Sequence, residues 1–281
     1  MVQRYAYTMS AAEKQKYTIT DLERREKTPQ VPLFRHLSFS EIWKEPLPYL
    51  PFFDRFVIKW LITFFQKNIL SIDGLQYIQP ENDSFILGMN HSQKAEAIII
   101  PATMFFYRQG KKIHFLSDWN FQLIPIVSYI IRRSEVITLT RKSAKPKFLN
   151  IFKPYFELPE PPFDVAKKKL AANASVGVYP EGTVNRNPHC LLKGYSGMAR
   201  LSIESGRPIV PVGISFPNLP KDSKTIPDWE PKCIKIGAPM YPPIVQEVAD
   251  LESVRSWHNE VMSVISKLSG KEWSKNSVRK L

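Results

Sequence analysis

From residue 84 onward, short runs rich in β-branched and other apolar residues alternate with longer stretches of helical periodicity. This alternation constrains the fold more than any other feature of the chain. Strands are expected over Ser84–Met89, Lys112–Leu116, Glu135–Thr140, Ser175–Tyr179, Ile209–Ser215 and Cys233–Ile236. Between and after them, helices are expected over Glu96–Arg108, Asp118–Ile131 (interrupted near Pro125), Phe163–Ala174, Gly194–Ser205 and Gln246–Leu268. Strands that alternate with helices pair side by side in one direction. The expected fold is therefore α/β, a largely parallel central sheet flanked by helices.

The chain ahead of this pattern reads differently. Residues 1–30 are polar and weakly patterned, which predicts a mobile polar arm. Residues 31–70 first interleave prolines with Phe34, Phe39, Trp43 and Tyr49. A helical stripe follows, made of Phe52, Phe53, Phe56, Val57, Trp60, Leu61, Phe64 and Phe65. Such a stripe suits either a core-facing helix or an N-terminal amphipathic segment lying in a lipid interface. Residues 71–281 are expected to form the domain that carries the chemistry.

Charge narrows the partners. The formal net charge is +13, and between Arg108 and Lys153 ten Lys and Arg stand against two acids. Such an excess favours anionic partners or forms a solvated basic face. Cys190 and Cys233 sit in neither metal-ligand nor redox spacing, so a reducing compartment is expected. The first 30 residues lack an apolar run, and no stretch of about 18 apolar residues occurs. The expected location is cytoplasmic, peripherally associated with a membrane. No metal and no cofactor are expected.

Two loops are positioned for chemistry. Asn90-His91-Ser92-Gln93-Lys94-Ala95-Glu96 follows a buried strand and opens a helix. In open α/β sheets, ligands gather at the carboxyl ends of the strands. A histidine there can act as a general base, and Glu96, one turn into the helix, can fold back to hold its other ring nitrogen. A surface corner is the plain alternative. The second loop is Tyr179-Pro180-Glu181-Gly182-Thr183, where another apolar run stops abruptly. Beyond it, Arg186 and Lys193 stand near a helix start, an arrangement that favours an anion. His114 is expected to be a packing histidine within a strand. Gly194-Tyr195-Ser196-Gly197 falls one residue short of a serine-nucleophile elbow.

Taken in order, these motifs resemble the glycerophospholipid acyltransferase family, which acylates glycerol-3-phosphate or lysophosphatidic acid. The family pattern is Asn-His-x4-Asp, a strand ending in Arg, Phe-Pro-Glu-Gly-Thr-Arg-Ser, and a strand containing Val-Pro-Val. This chain has Asn90-His91 with Glu96, Val136 through Arg141, Tyr179 through Thr183, and Val210-Pro211-Val212. Leu192-Lys193-Gly194 resembles a further stretch, and so does Ile236-Gly237-Ala238-Pro239. The likeness covers roughly residues 70–270. The chain departs from the pattern in having Glu96 for Asp, Val184 for Arg, and Asn185-Arg186 after that.

The resemblance implies acyl transfer from an acyl-CoA or acyl-carrier-protein thioester to a hydroxyl of lysophosphatidic acid or glycerol-3-phosphate. His91 would act as base and Glu96 would orient it. Asn90, Arg141, Glu181, Gly182, Thr183, Arg186 and Lys193 would bind substrate. The implied partners are the thioester donor, the lysolipid or glycerol-phosphate acceptor and the membrane surface, with no nucleic acid. Other readings are a same-fold enzyme acting on a non-phosphorylated hydroxyl or amine, and an inactive basic membrane-binding protein.

Overall fold

The computed structural model describes residues 34–144, 146–244 and 250–276. The polar arm expected over 1–30, and the start expected for the last helix at Gln246, lie outside the described residues.

Seven strands form one sheet in the order β1-β7-β6-β2-β5-β3-β4. In chain order they are β1 (Ile69–Asp73), β2 (Ile86–Met89), β3 (Ile113–Asp118), β4 (Ile137–Leu139), β5 (Ser175–Val178), β6 (Ile209–Ser215) and β7 (Lys232–Ile236). All neighbours run parallel except β6 and β7. The α/β expectation is met. Strand β1 was not anticipated, because Ile69-Leu70-Ser71-Ile72-Asp73 is too short to separate from the helix before it.

Helices α1 (Phe39–Lys44) and α2 (Phe52–Phe65) precede the sheet. They are followed by α3 (Glu96–Tyr107), α4 (Pro125–Arg133), α5 (Pro162–Ala171), α6 (Gly197–Ser205) and α7 (Leu251–Ser269). The helix expected over Asp118–Ile131 divides into a 3₁₀ turn, Trp119–Leu123, and α4. Pro125 lacks the N–H a continuous helix would need and takes a first-turn position instead.

The core on one side gathers Ile86, Val176 and Ile209 of the sheet with Leu170 of α5, Met198 and Leu201 of α6, and Trp257, Val261 and Ile265 of α7. Helix α7 lies so close to β6 that a Cβ on Gly213 would come within 2.2 Å of the Leu268 backbone. Only glycine allows that approach. Helix α2 packs on α3.

Half of the α2 stripe stays uncovered. Ile58 and Ile62 are its buried apolar residues, whereas Phe52, Phe53, Phe56 and Phe64 are exposed. Its buried polar groups are satisfied. Asp54 pairs with Arg133 at 2.6 Å, and Lys59 donates to the Trp43 carbonyl at 2.8 Å. Residues 34–70 and the sheet belong to one compact unit.

Candidate active site

The sheet register brings the two loops together. Gly88 of β2 lies opposite Val178 of β5, so both chains leave the sheet side by side at the same edge. Asn90 continues β2 and locks it to β6. Its side chain accepts from the Ile214 N–H at 2.7 Å and donates to the Ile214 carbonyl at 3.0 Å. That places Asn90 as a brace for the turn that carries His91.

His91 is nearly buried, and its Nδ1 lies 2.9 Å from Glu96 Oε2. The same carboxylate oxygen accepts the Ser92 N–H at 2.7 Å. Glu96 is the first residue of α3 and is fully buried. The extra methylene relative to Asp is used by folding back over one turn to reach both donors. A carboxylate at Nδ1 fixes the tautomer with the proton there. The Nε2 lone pair is then free to take a proton. The imidazole also stacks on the half-buried Tyr179 ring, with centroids 4.3 Å apart. Burial pushes the Tyr179 phenol well above its ordinary range, and the Glu96 charge adds to this, so it stays protonated.

Glu181 is a clamp. Oε1 accepts the His91 N–H at 3.2 Å, while Oε2 accepts from Asn185 and from the Leu192 N–H, each at 2.8 Å. Burial raises its pKa, and the Leu192 and Asn185 hydrogen bonds oppose that. Gly182 turns with φ +66, and its virtual Cβ would strike the Tyr195 ring at 2.7 Å, so a side chain is excluded there. Lys142 donates to the Gly182 carbonyl at 2.7 Å, which joins the end of β4 to this turn. Thr183 is half-buried beside it.

The basic residues divide. Arg141 is exposed at this edge, with its guanidinium 5.9 Å from the centre of the Tyr195 ring. Lys193 is half-buried, and its carbonyl accepts from His258 at 3.0 Å. Arg186 is engaged elsewhere: it pairs with Asp228 and donates to the Ile226 carbonyl at 2.9 Å. His114, expected to be structural, is buried with its Nδ1 3.1 Å from the Glu135 carbonyl oxygen, and burial lowers its pKa.

Two buried lysines went unread in the sequence. Lys271 follows α7 and donates to Ser92 Oγ and to the Asn187 carbonyl, both at 2.8 Å. It is delivered by the C-terminal segment, whose Glu272 pairs through its backbone with Leu191 and His189. Lys232 opens β7 at the same edge and is fully buried. Burial lowers both ammonium pKa values; Glu181 and then Glu96 resist at Lys271, and Glu96 and then Glu230 at Lys232. No local spacing links either lysine to His91. Antiparallel β7 and the return of the chain after α7 bring them in.

The site thus holds an imidazole backed by a carboxylate, at the carboxyl edge of a parallel sheet, with cations nearby. The model of the Acyltransferase family matches residues 70–215, which span the dyad and the Glu181 turn. The chain belongs to the Acyltransferase family. It is an acyltransferase. The family's Asp position carries Glu96 here, and the dyad forms all the same. Among solved structures, this acyltransferase is similar to the 1-acyl-sn-glycerophosphate (LPA) acyltransferase PlsC from Thermotoga maritima. The TM-score is 0.51 at 19% identity, over 84% of this chain and 90% of that one. No curated protein matches the sequence. Among the described residues, no cluster of three or more His, Cys, Asp or Glu could hold a metal ion. None of the described helices is long and apolar enough to cross a membrane.

Proposed function

We propose that this acyltransferase moves a fatty acyl group from an acyl-CoA or acyl-carrier-protein thioester to the free hydroxyl of lysophosphatidic acid, or of glycerol-3-phosphate, at a membrane surface. The observation that carries the reading is the 2.9 Å contact between His91 Nδ1 and Glu96. His91 Nε2 takes the hydroxyl proton as the alcohol oxygen attacks the thioester carbonyl. The C–S bond breaks, and the imidazolium returns the proton to the departing thiolate. Glu96 stabilises that imidazolium and does not itself need to gain the proton. No metal and no cofactor enter the scheme.

Arg141 and Lys193 are the cations available for the acceptor phosphate, and the exposed aromatic face of α2 suits the bilayer interface. A second reading has one observation in its favour. Val184 carries no charge and Arg186 is already paired with Asp228, so the cationic cluster is thinner than the family pattern. An acceptor without a phosphomonoester fits that arrangement.

The test is an acceptor screen with a labelled acyl thioester, read by mass spectrometry. Acylation of lysophosphatidic acid or glycerol-3-phosphate well above other alcohols and amines is the expected result. Faster acylation of a non-phosphorylated acceptor would decide for the second reading.

A further inference from the structure

Between β4 and α5, residues Lys147–Phe156 form a ten-residue 3₁₀ helix in which no side chain is buried. Runs of 3₁₀ this long are uncommon, and Pro154 within the run denies it an α-helical hydrogen bond. Phe148, Ile151 and Tyr155 are 71%, 68% and 83% exposed, and Phe152 is 44% exposed. At three residues per turn, Phe148 and Ile151 lie one above the other, and Phe152 and Tyr155 form a second row on the adjoining face. Lys147 and Lys153 flank them.

Exposed large side chains this close together, contributing nothing to a core, mark a surface that meets something apolar. The segment is nonetheless anchored. Phe156 packs on buried Trp119 with ring centroids 5.8 Å apart, and Asn150 accepts the Ala144 N–H at 2.9 Å. Its base touches the active site, since Trp119 donates to the Lys142 carbonyl and Lys142 donates to that of Gly182. On its other flank, Trp119 leads through the 3₁₀ turn to α4, whose exposed Tyr129 meets Phe53 of α2 at 6.5 Å.

We propose that residues 147–156 form a second lipid-contacting element, which inserts its aromatic and aliphatic side chains into the surface of an anionic bilayer beside the active-site mouth. Aromatic rings partition to the water–lipid boundary, and flanking lysines meet anionic headgroups there. With α2 as one contact and this segment as another, the site edge would be held towards the lipid. The inference rests on the reading that the protein works at a bilayer, but not on the identity of the acceptor.

The test uses the full chain and vesicles of phosphatidylcholine mixed with phosphatidylglycerol, with no substrate present. The triple variant Phe148→Ser, Ile151→Ser, Tyr155→Ser changes only exposed side chains. Its vesicle binding should fall roughly 10–100-fold, with melting unchanged, because three apolar groups no longer leave water. Lys147→Glu with Lys153→Glu should weaken binding to the anionic vesicles and leave binding to pure phosphatidylcholine unaltered. Wild-type vesicle affinity in both variants overturns the proposal, as does a wild-type chain that fails to bind vesicles. Retained vesicle binding with loss of turnover from an acyl-carrier-protein donor would make the segment a protein-docking surface instead. Failure to acylate lysophosphatidic acid would count against the proposed acceptor and leave the vesicle result standing.

Discussion

Glu96 and Glu181 sit beside the same histidine, are both buried, and do different work. Glu96 spends one carboxylate oxygen on the His91 ring and the Ser92 N–H, and among the described residues its other oxygen has no hydrogen-bond partner. Glu181 has both oxygens occupied by His91 N–H, Leu192 N–H and Asn185. The first carboxylate faces an imidazole ring, the group proposed to carry the proton; the second faces backbone N–H groups. Residue type and burial therefore do not separate a reacting group from a scaffold. The partner atom does.

The largest effect should come from His91 itself. His91→Ala should lower kcat by about 10²–10⁴-fold, the usual scale for loss of a general base. Melting should change little, because the ring is held at an edge of the core. Near-normal turnover in a folded His91→Ala protein would sink the mechanism.

The paired glutamates sharpen the comparison next. Glu96→Gln should cost on the order of 10²-fold in kcat, since the imidazolium loses its counter-charge. Glu181→Gln should act on stability, by about 1–3 kcal/mol, because an amide NH₂ would confront N–H groups that now meet an oxygen. Thermal melts and kcat measured side by side would read this. If Glu181→Gln lost activity at full stability, the division between the two residues would fail.

The basic residues should follow at a smaller scale. Arg141 is exposed at the site edge, whereas Arg186 is held by Asp228 and the Ile226 carbonyl. Arg141→Ala should raise the KM for a phosphorylated acceptor roughly 10-fold, the scale of one charged hydrogen bond. Arg186→Ala should chiefly loosen the loop through Asp228, with a milder change in KM. Acceptor-dependent kinetics of the two variants compare them directly. The reverse order would mean that Arg186 leaves Asp228 when acceptor binds.

The dyad was legible because His91 and Glu96 lie within one loop and one helical turn, and because the other motifs follow them in the family's order. The sheet beyond β1 was legible too, because most of its strands are separated by helices of ordinary length. The bracing contacts of Asn90 and Glu181 were not. The resemblance implied substrate binding for both, and their partners in the fold, Ile214 and Leu192, lie across the sheet or in the following loop. The stripe of α2 was visible, but periodicity does not say which way a stripe faces. Here Ile58 and Ile62 take the core side, and Phe52, Phe53, Phe56 and Phe64 are left outside. Lys232 and Lys271 carried no local signal, since only the antiparallel strand and the C-terminal return place them under the site.

Lys271 offers the smallest effect and the most discriminating one. Its ammonium donates to Ser92 Oγ, one residue beyond His91, and to the Asn187 carbonyl, so it ties the chain after α7 to the turn that carries the imidazole. Burial lowers the ammonium pKa, and Glu181 and then Glu96 resist. Lys271→Met keeps most of the aliphatic stem and removes both hydrogen bonds. If the lysine holds the turn in place, kcat should fall about 2–10-fold, the scale of one buried hydrogen bond. Lys271→Arg keeps a charged donor at this position and should restore most of kcat. If Lys271 were only a contact of the fold, Lys271→Met would lower the melting temperature and leave kcat unchanged. Thermal melts and kcat of the three proteins therefore separate the two roles, because melting reports the fold and the rescue by arginine reports the donor.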